Sequence, residues 1–237
     1  SVLLSDDCKY NLAILYRKND NEKNAISMYK QLYRSAHAKG CYNMGLIMEI
    51  NKDESEAERY YLKSCKSEFS KAQYRLAYLY DRQDRREDAI EYYEKGIEHD
   101  NPLCKCRLAN LCNRENEIEI AKMYYDLASN DMVEAKNNLA GLYFEEENYD
   151  KAIKNYYEAI VDGCKVSIEN IGDLYDQIGD IEKAISYYQR NSTIVSSQIK
   201  LGDIFKRIDN IDEAIVWYEK AFENKDIYAA YALGLIY

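Results

Sequence analysis

Proline is almost missing from this chain: Pro102 is the only one in 237 residues, and just 9 glycines accompany it. With so few residues that break helices or loosen linkers, no Pro/Gly/Ser-rich stretch divides the chain. That continuity predicts one elongated helical array over residues 1–237 rather than two globules joined by a linker. Histidine is nearly as scarce, and His37 and His99 leave little room for imidazole catalysis or a His-rich metal site. No phosphate-binding glycine loop, dinucleotide fingerprint or nucleophile elbow occurs. No catalytic constellation can be assembled, and no cofactor or metal is expected. The 7 cysteines (Cys8, Cys41, Cys65, Cys104, Cys106, Cys112 and Cys164) include no C-x-x-C pair. An odd, scattered set reads as free thiols in a reducing, cytoplasmic setting.

No apolar run approaches the roughly 18 residues a membrane span requires. A formal net charge of −10 argues against nucleic acid and anionic membrane, both of which call for clustered Lys and Arg. Hydrophobic content of 47% is ample for a core, so disorder is not expected. Asn191-Ser192-Thr193 is a formal glycosylation sequon.

Tyrosine, by contrast, is abundant at 25 residues, and much of it is periodic. A small residue recurs 30 to 32 positions apart at Ala13, Gly45, Ala77, Ala109, Ala140, Gly172, Gly202 and Gly234. Twelve residues after each of the first seven stands an alanine: Ala25, Ala57, Ala89, Ala121, Ala152, Ala184 and Ala214. All slippage therefore falls between that alanine and the next repeat. An aliphatic residue or Met precedes every small residue, and a large side chain, usually aromatic, follows three positions later. Four residues beyond each alanine comes tyrosine: Tyr29, Tyr61, Tyr93, Tyr125, Tyr156, Tyr188 and Tyr218. Spacings of three and four place these groups on one face of a helix. Asn21, Asp53, Asp84, Asn116, Asn148, Asp180 and Asn210 are expected as N-caps of the second helices. Glu56, Glu87, Glu119 and Glu213 would complete capping boxes. Asn101-Pro102 reads as a cap followed by a first helical position. The expected fold is an all-α solenoid (superhelix) of antiparallel helix pairs: seven repeats of about 32 residues plus one extra helix, with no sheet.

Leu139-Ala140-x-x-Tyr143 followed by Ala152-x-x-x-Tyr156-x-x-Ala159 resembles the consensus shared by tetratricopeptide and Sel1-like repeats. The twelve-residue step is similar to the tetratricopeptide pattern, and the return of about twenty residues to the Sel1-like one. The resemblance covers essentially the whole chain. It implies a non-catalytic interaction scaffold or adaptor that binds a peptide or helix in a concave groove lined by the first helices. A regulatory sensor closing on a small ligand or short signal peptide is the other reading.

Two positions before the small column, every complete repeat is polar: Asn11, Asn43, Arg75, Arg107, Asn138, Asn170 and Lys200. The amides suit bidentate bonding to a peptide backbone, and an ordinary structural ladder would look the same. The family implies peptide capture there, with Asn43, Arg75, Arg107 and Asn138 pointing into the groove unpaired by their own repeat. One position earlier stand Tyr10, Tyr42 and Tyr74; just after the small column come Ile14, Leu46, Tyr78, Asn110 and Asp173. The groove is thus expected to be aromatic early and acidic later, at Glu169, Asp173, Asp176 and Asp203. Arg75, Arg82, Arg107 and Arg114 lie near the junction. Aromatics edged by arginine are typical binding hot spots. Relatives that clamp a carboxylate tail imply five polar contacts; Asn43, Lys71 and Arg75 match three, while Tyr10 and Ile14 occupy the other two. The apolar ends, Ser1-Val-Leu-Leu4 and the segment through Leu233, Ile236 and Tyr237, lead to the expectation of a piece of a longer array that self-associates end to end.

Overall fold

The computed structural model describes residues 4–237; Ser1, Val2 and Leu3, part of the apolar opening segment, lie outside the described residues. Fifteen helices follow one another, with no strand among the described residues. They are α1 (Asp6–Lys18), α2 (Glu22–Arg34), α3 (Ala38–Ile50), α4 (Glu54–Cys65) and α5 (Ser70–Arg82). Next come α6 (Arg86–Glu98), α7 (Pro102–Arg114), α8 (Ile118–Ala128), α9 (Val133–Glu145) and α10 (Tyr149–Val161). The last five are α11 (Lys165–Gln177), α12 (Ile181–Arg190), α13 (Val195–Arg207), α14 (Ile211–Glu223) and α15 (Ile227–Gly234). The chain is an all-α solenoid of helix pairs. It divides into two compact units, residues 1–124 and 125–237, with the division inside α8.

One turn design explains the invariant twelve-residue step. After each first helix a residue adopts a left-handed conformation: Asp20, Lys52, Asp84, Asn116, Glu147, Gly179 and Asp209, with φ between 54° and 85°. The next residue turns its N–H back to a carbonyl five positions earlier, as in Asn21 N to Tyr16 O (2.8 Å) and Asp180 N to Tyr175 O (2.9 Å). This closes the first helix in the Schellman manner. In the helix pairs whose caps are resolved, that same residue caps the second helix. One residue ends one helix and starts the next, leaving no slack.

The side chains of Asn21, Asp53, Asp180 and Asn210 accept the backbone N–H of Asn24, Glu56, Lys183 and Glu213, as N-caps should. Asn148 occupies the cap of α10 without a side-chain bond. Asp84 and Asn116 are not caps. They are the left-handed residues of their turns, with φ of 59° and 62°, and Arg85 stands at the cap of α6. Asn and Asp suit both positions, so residue type does not separate two sites one residue apart. The capping boxes expected at Glu87 and Glu119 lapse with those caps. Asn101 does cap α7, accepting from Leu103 N, with Pro102 at the first helical position.

Variable spacing resides where second helices return to first ones. Ala36, Glu68, Asp100, Gly163 and Lys225 provide left-handed residues there. The return from α12 to α13 runs through Asn191 and Ile194 without one, and the step it carries, from Ala184 to Gly202, is the shortest between the alanine and small columns.

The tyrosine column forms the core. Tyr29, Tyr61 and Tyr93 are fully buried, and Tyr125, Tyr156, Tyr188 and Tyr218 are no more than 3% exposed. The small column makes room for them. A Cβ on Gly45, Gly172 or Gly202 would sit 2.4, 2.7 or 2.5 Å from the ring of Tyr61, Tyr188 or Tyr218. In these three glycine repeats the ring lies deep enough for its hydroxyl to reach a carboxylate of the partner helix. Tyr61 bonds Glu49, Tyr188 bonds Asp173 (2.5 Å) and Tyr218 bonds Asp203 (2.6 Å). Burial raises all three phenol pKa values, and the facing carboxylates raise them further. Opposite Ala77, the Tyr93 hydroxyl is buried with no partner among the described residues.

Candidate functional site

First helices of successive repeats stand beside one another, α5 by α7 and α9 by α11. Their outward columns therefore form a face within each unit. In residues 1–124 that face carries Tyr10, Tyr42, Tyr74 and Tyr78, all half-buried. Tyr74 and Tyr78 stack at 6.3 Å, Tyr42 packs edge-on against Phe69 at 5.3 Å, and Tyr10 lies 5.3 Å from His37.

The polar column two positions before the small residue is already engaged, and the engagement is regular. Asn43 Nδ2 donates to the hydroxyls of Tyr10 (3.5 Å) and Tyr29 (3.3 Å). Arg75 lies 3.9 Å from Glu49. The Arg107 guanidinium stands 5.1 Å over the Tyr78 ring. In residues 125–237, Asn170 Nδ2 donates to Asn137 Oδ1 (2.8 Å), and Lys200 Nζ lies 2.9 Å from Glu169. In Asn43, Asn170 and Lys200 the side chain of one repeat thus bonds the residue three before the small column of the preceding repeat. These are rungs between repeats. Asn43, Arg75 and Arg107 draw these partners from the preceding repeat, whereas Asn138 meets Asn137 beside it (3.3 Å). Asn11 is exposed and Asn110 half-buried.

The acidic stretch is present but largely neutralised. Asp173 holds Lys200 (2.6 Å) and the Tyr188 hydroxyl, Asp176 pairs with Arg207, and Asp203 accepts from Tyr218 and Tyr228. Arg82 pairs with Glu54 (3.0 Å) and Arg114 with Asp81. Of the four arginines near the junction, Arg75 and Arg107 are the two that line the tyrosine face.

A cavity of about 450 Å³ opens at the start of this face. Tyr10, Ile14, Tyr29 and Asn43 line it together with Arg17 and Lys18, the basic pair in the last turn of α1. Arg17 and Lys18 lie outside the repeating polar column. Their spacing of three and four from Ile14 is the signal that places them on its face.

Other sequence features belong to the framework. Cys104 and Cys112 are core residues, and burial lifts the Cys104 thiol to about 12. No group of three metal-binding side chains occurs among the described residues. His37 caps α3 by accepting from Gly40 N at 3.1 Å. Asn191 of the sequon is a buried C-cap.

Against known proteins, the tetratricopeptide repeat model matches residues 70–101, 133–160, 167–190 and 195–226. The Sel1 repeat model matches residues 32–68. The chain belongs to the tetratricopeptide and Sel1 repeat family. Among solved structures, it is similar to a protective antigen of uropathogenic Escherichia coli strains displaying an SLR fold, with TM-score 0.75 and 20% identity. That match covers 98% of this chain and 56% of the antigen, so this chain spans little more than half of that relative. A Sel1 repeat protein from Oxalobacter formigenes aligns with TM-score 0.68 and 16% identity over 91% of this chain and 99% of its own. Yeast Tom70 aligns with TM-score 0.62 and 19% identity over 98% of this chain and 54% of its own. At these identities the structural likeness carries the fold. No curated protein sequence matches the chain. Repeats of this family generally mediate protein–protein interactions and are typically non-catalytic. No helix among the described residues is long and apolar enough to cross a membrane.

Proposed function

We propose that the chain is a non-catalytic scaffold that binds an extended peptide segment on the first-helix face of residues 1–124. The observation that carries this reading is the run of half-buried tyrosine rings from the cavity at Tyr10 to the Arg107–Tyr78 pair. Tyrosine offers a large rigid surface at small entropic cost, and arginine beside it makes a site of the hot-spot kind. Arg107 is exposed and stacks its guanidinium over Tyr78, which leaves its five-donor fork for a ligand carbonyl or carboxylate. Arg17, Lys18, Arg75 and Arg107 favour a segment bearing acidic side chains. Asn43 has a different part: it fastens Tyr10 and Tyr29 and so shapes the cavity rather than grasping the ligand. The free thiols favour a reducing, cytoplasmic setting.

The test is selection from a displayed random-peptide library, followed by affinity measurement with the full chain. Enriched peptides should combine acidic and aromatic residues. Tyr78→Ala with Arg107→Glu should weaken them by about tenfold or more with unchanged melting. Undiminished binding by that variant would sink the reading.

A further inference from the structure

Second helices of the second and third repeats enclose a different kind of space. A cavity of about 640 Å³ lies between α4 and α6, with Tyr33 of α2 at its rim and Gln73 of α5 among its lining. It shares no residue with the tyrosine face.

Its charge runs against that of the molecule. The chain carries a formal net charge of −10, yet this cavity gathers Arg59, Lys63, Lys66, Lys95 and His99 against Glu68 and Glu98. Three of the basic groups are engaged: Arg59 by Glu56 (3.2 Å), Lys95 by Glu91, and His99 Nε2 at 3.5 Å from Glu68. Lys63 and Lys66 meet no carboxylate among the described residues. A basic residue in a last turn complements the helix dipole, which accounts for Lys63. It does not account for the aromatic walls beside it. Tyr33 lies 5.4 Å from the Lys63 ammonium and 5.2 Å from the Arg59 guanidinium, and Lys95 stands 4.5 Å over Tyr92.

Cys65 also lines the space, but burial pushes its thiol up to about 12, so it stays protonated and is no nucleophile. The surroundings suit reversible binding.

We propose that this cavity binds a small organic anion: a flat apolar body against Tyr33 and Tyr92, and a carboxylate or phosphate on Lys63 and Lys66. Scaffold binding and this site are separate, so either can fail without the other.

The experiment titrates the full chain with indole-3-acetate, adenosine 5′-monophosphate and uncharged adenosine, by calorimetry and by NMR of ring-labelled tyrosine. At least one anionic probe should saturate at millimolar concentration and shift Tyr33 and Tyr92. A response to indole-3-acetate alone assigns a carboxylate, and to the nucleotide alone a phosphate. Adenosine should bind less well. Lys63→Glu with Lys66→Glu should lower affinity by about tenfold or more, while Tyr78→Ala with Arg107→Glu leaves it unchanged. If circular dichroism shows the charge-reversed chain unfolded, Lys63→Gln with Lys66→Gln takes its place. Failure of both anionic probes to saturate, equal binding of adenosine, or equal binding by the lysine variant would overturn the proposal.

Discussion

At the scale of single residues, this fold turns on the contact between one tyrosine and one small residue. At Gly45, Gly172 and Gly202 the ring lies close enough that a single methyl group would collide with it. Gly172→Ala sets two effects against each other. Alanine favours a helix by about 1 kcal/mol, while forcing Tyr188 aside costs about 1–3 kcal/mol and disturbs its bond to Asp173. Steric displacement should win, and chemical denaturation should show a net loss of stability. The hydroxyls supply a cleaner contrast. Tyr188→Phe removes a bond to a carboxylate and should cost about 1.5 kcal/mol. Tyr93→Phe removes a buried hydroxyl that has no partner among the described residues, so it should be neutral or stabilising. A pair of denaturation curves decides this; equal losses would show that Tyr93 is bonded after all.

At the scale of helices, capping distinguishes positions that look alike in the alignment of repeats. Asn210 accepts Glu213 N at 3.3 Å, whereas Asn148 makes no such bond. Asn210→Ala should therefore destabilise by about 1 kcal/mol, and Asn148→Ala by clearly less, as read from thermal melts. The same comparison shows what the sequence reveals and what it hides. Helix pairs, the buried tyrosine column and the twelve-residue step were all legible, because each arises from a pattern every repeat must satisfy. The cap register at Asp84 and Asn116 is not given by residue type, which the left-handed site and the cap share, but by spacing: both lie five residues before the alanine, where the caps of the other repeats lie four. The partners of the polar column were not legible. Asn43 bonding Tyr10, or Lys200 bonding Glu169, depends on how successive repeats stack, and no one repeat contains both ends of the bond. The cavity beside Gln73 was least legible of all. It forms where the last turns of α4 and α6 meet the start of α5, so its lining is drawn from more than one repeat.

At the scale of the molecule, one consequence concerns association. On α15 and just after it, Ile227, Tyr231, Leu235 and Tyr237 are 85%, 64%, 61% and 86% exposed, while Leu233 and Ile236 pack into the core beside Ala229. We propose that the remaining apolar surface supports self-association of this chain. Sedimentation velocity should show a weight-average coefficient that rises with concentration. Ile227→Lys with Tyr231→Lys should abolish the rise; a concentration-independent monomer would reject the idea.

The tyrosine column also sets how the whole array answers to alkali. Burial raises the phenol pKa values of Tyr29, Tyr61, Tyr93, Tyr188 and Tyr218, and it takes Tyr156 to about 12. In the unfolded chain a phenol ionises near pH ~10. The sign follows from which state holds the proton. Below about pH 10 both states are protonated, so the contribution of these groups to stability is complete. Above it, the unfolded chain releases protons that the folded chain retains, and stability falls until the folded pKa values are reached. Several such groups acting together should make the loss steep. Phenolate absorbance and far-ultraviolet circular dichroism, followed together as pH rises, should separate two phases. Surface phenols ionise first with the helices intact; the buried ones then ionise in the same step in which helicity disappears. Ionisation of every tyrosine near the ordinary phenol range, with full helicity retained, would mean that water reaches the column and that it is not the core of the array.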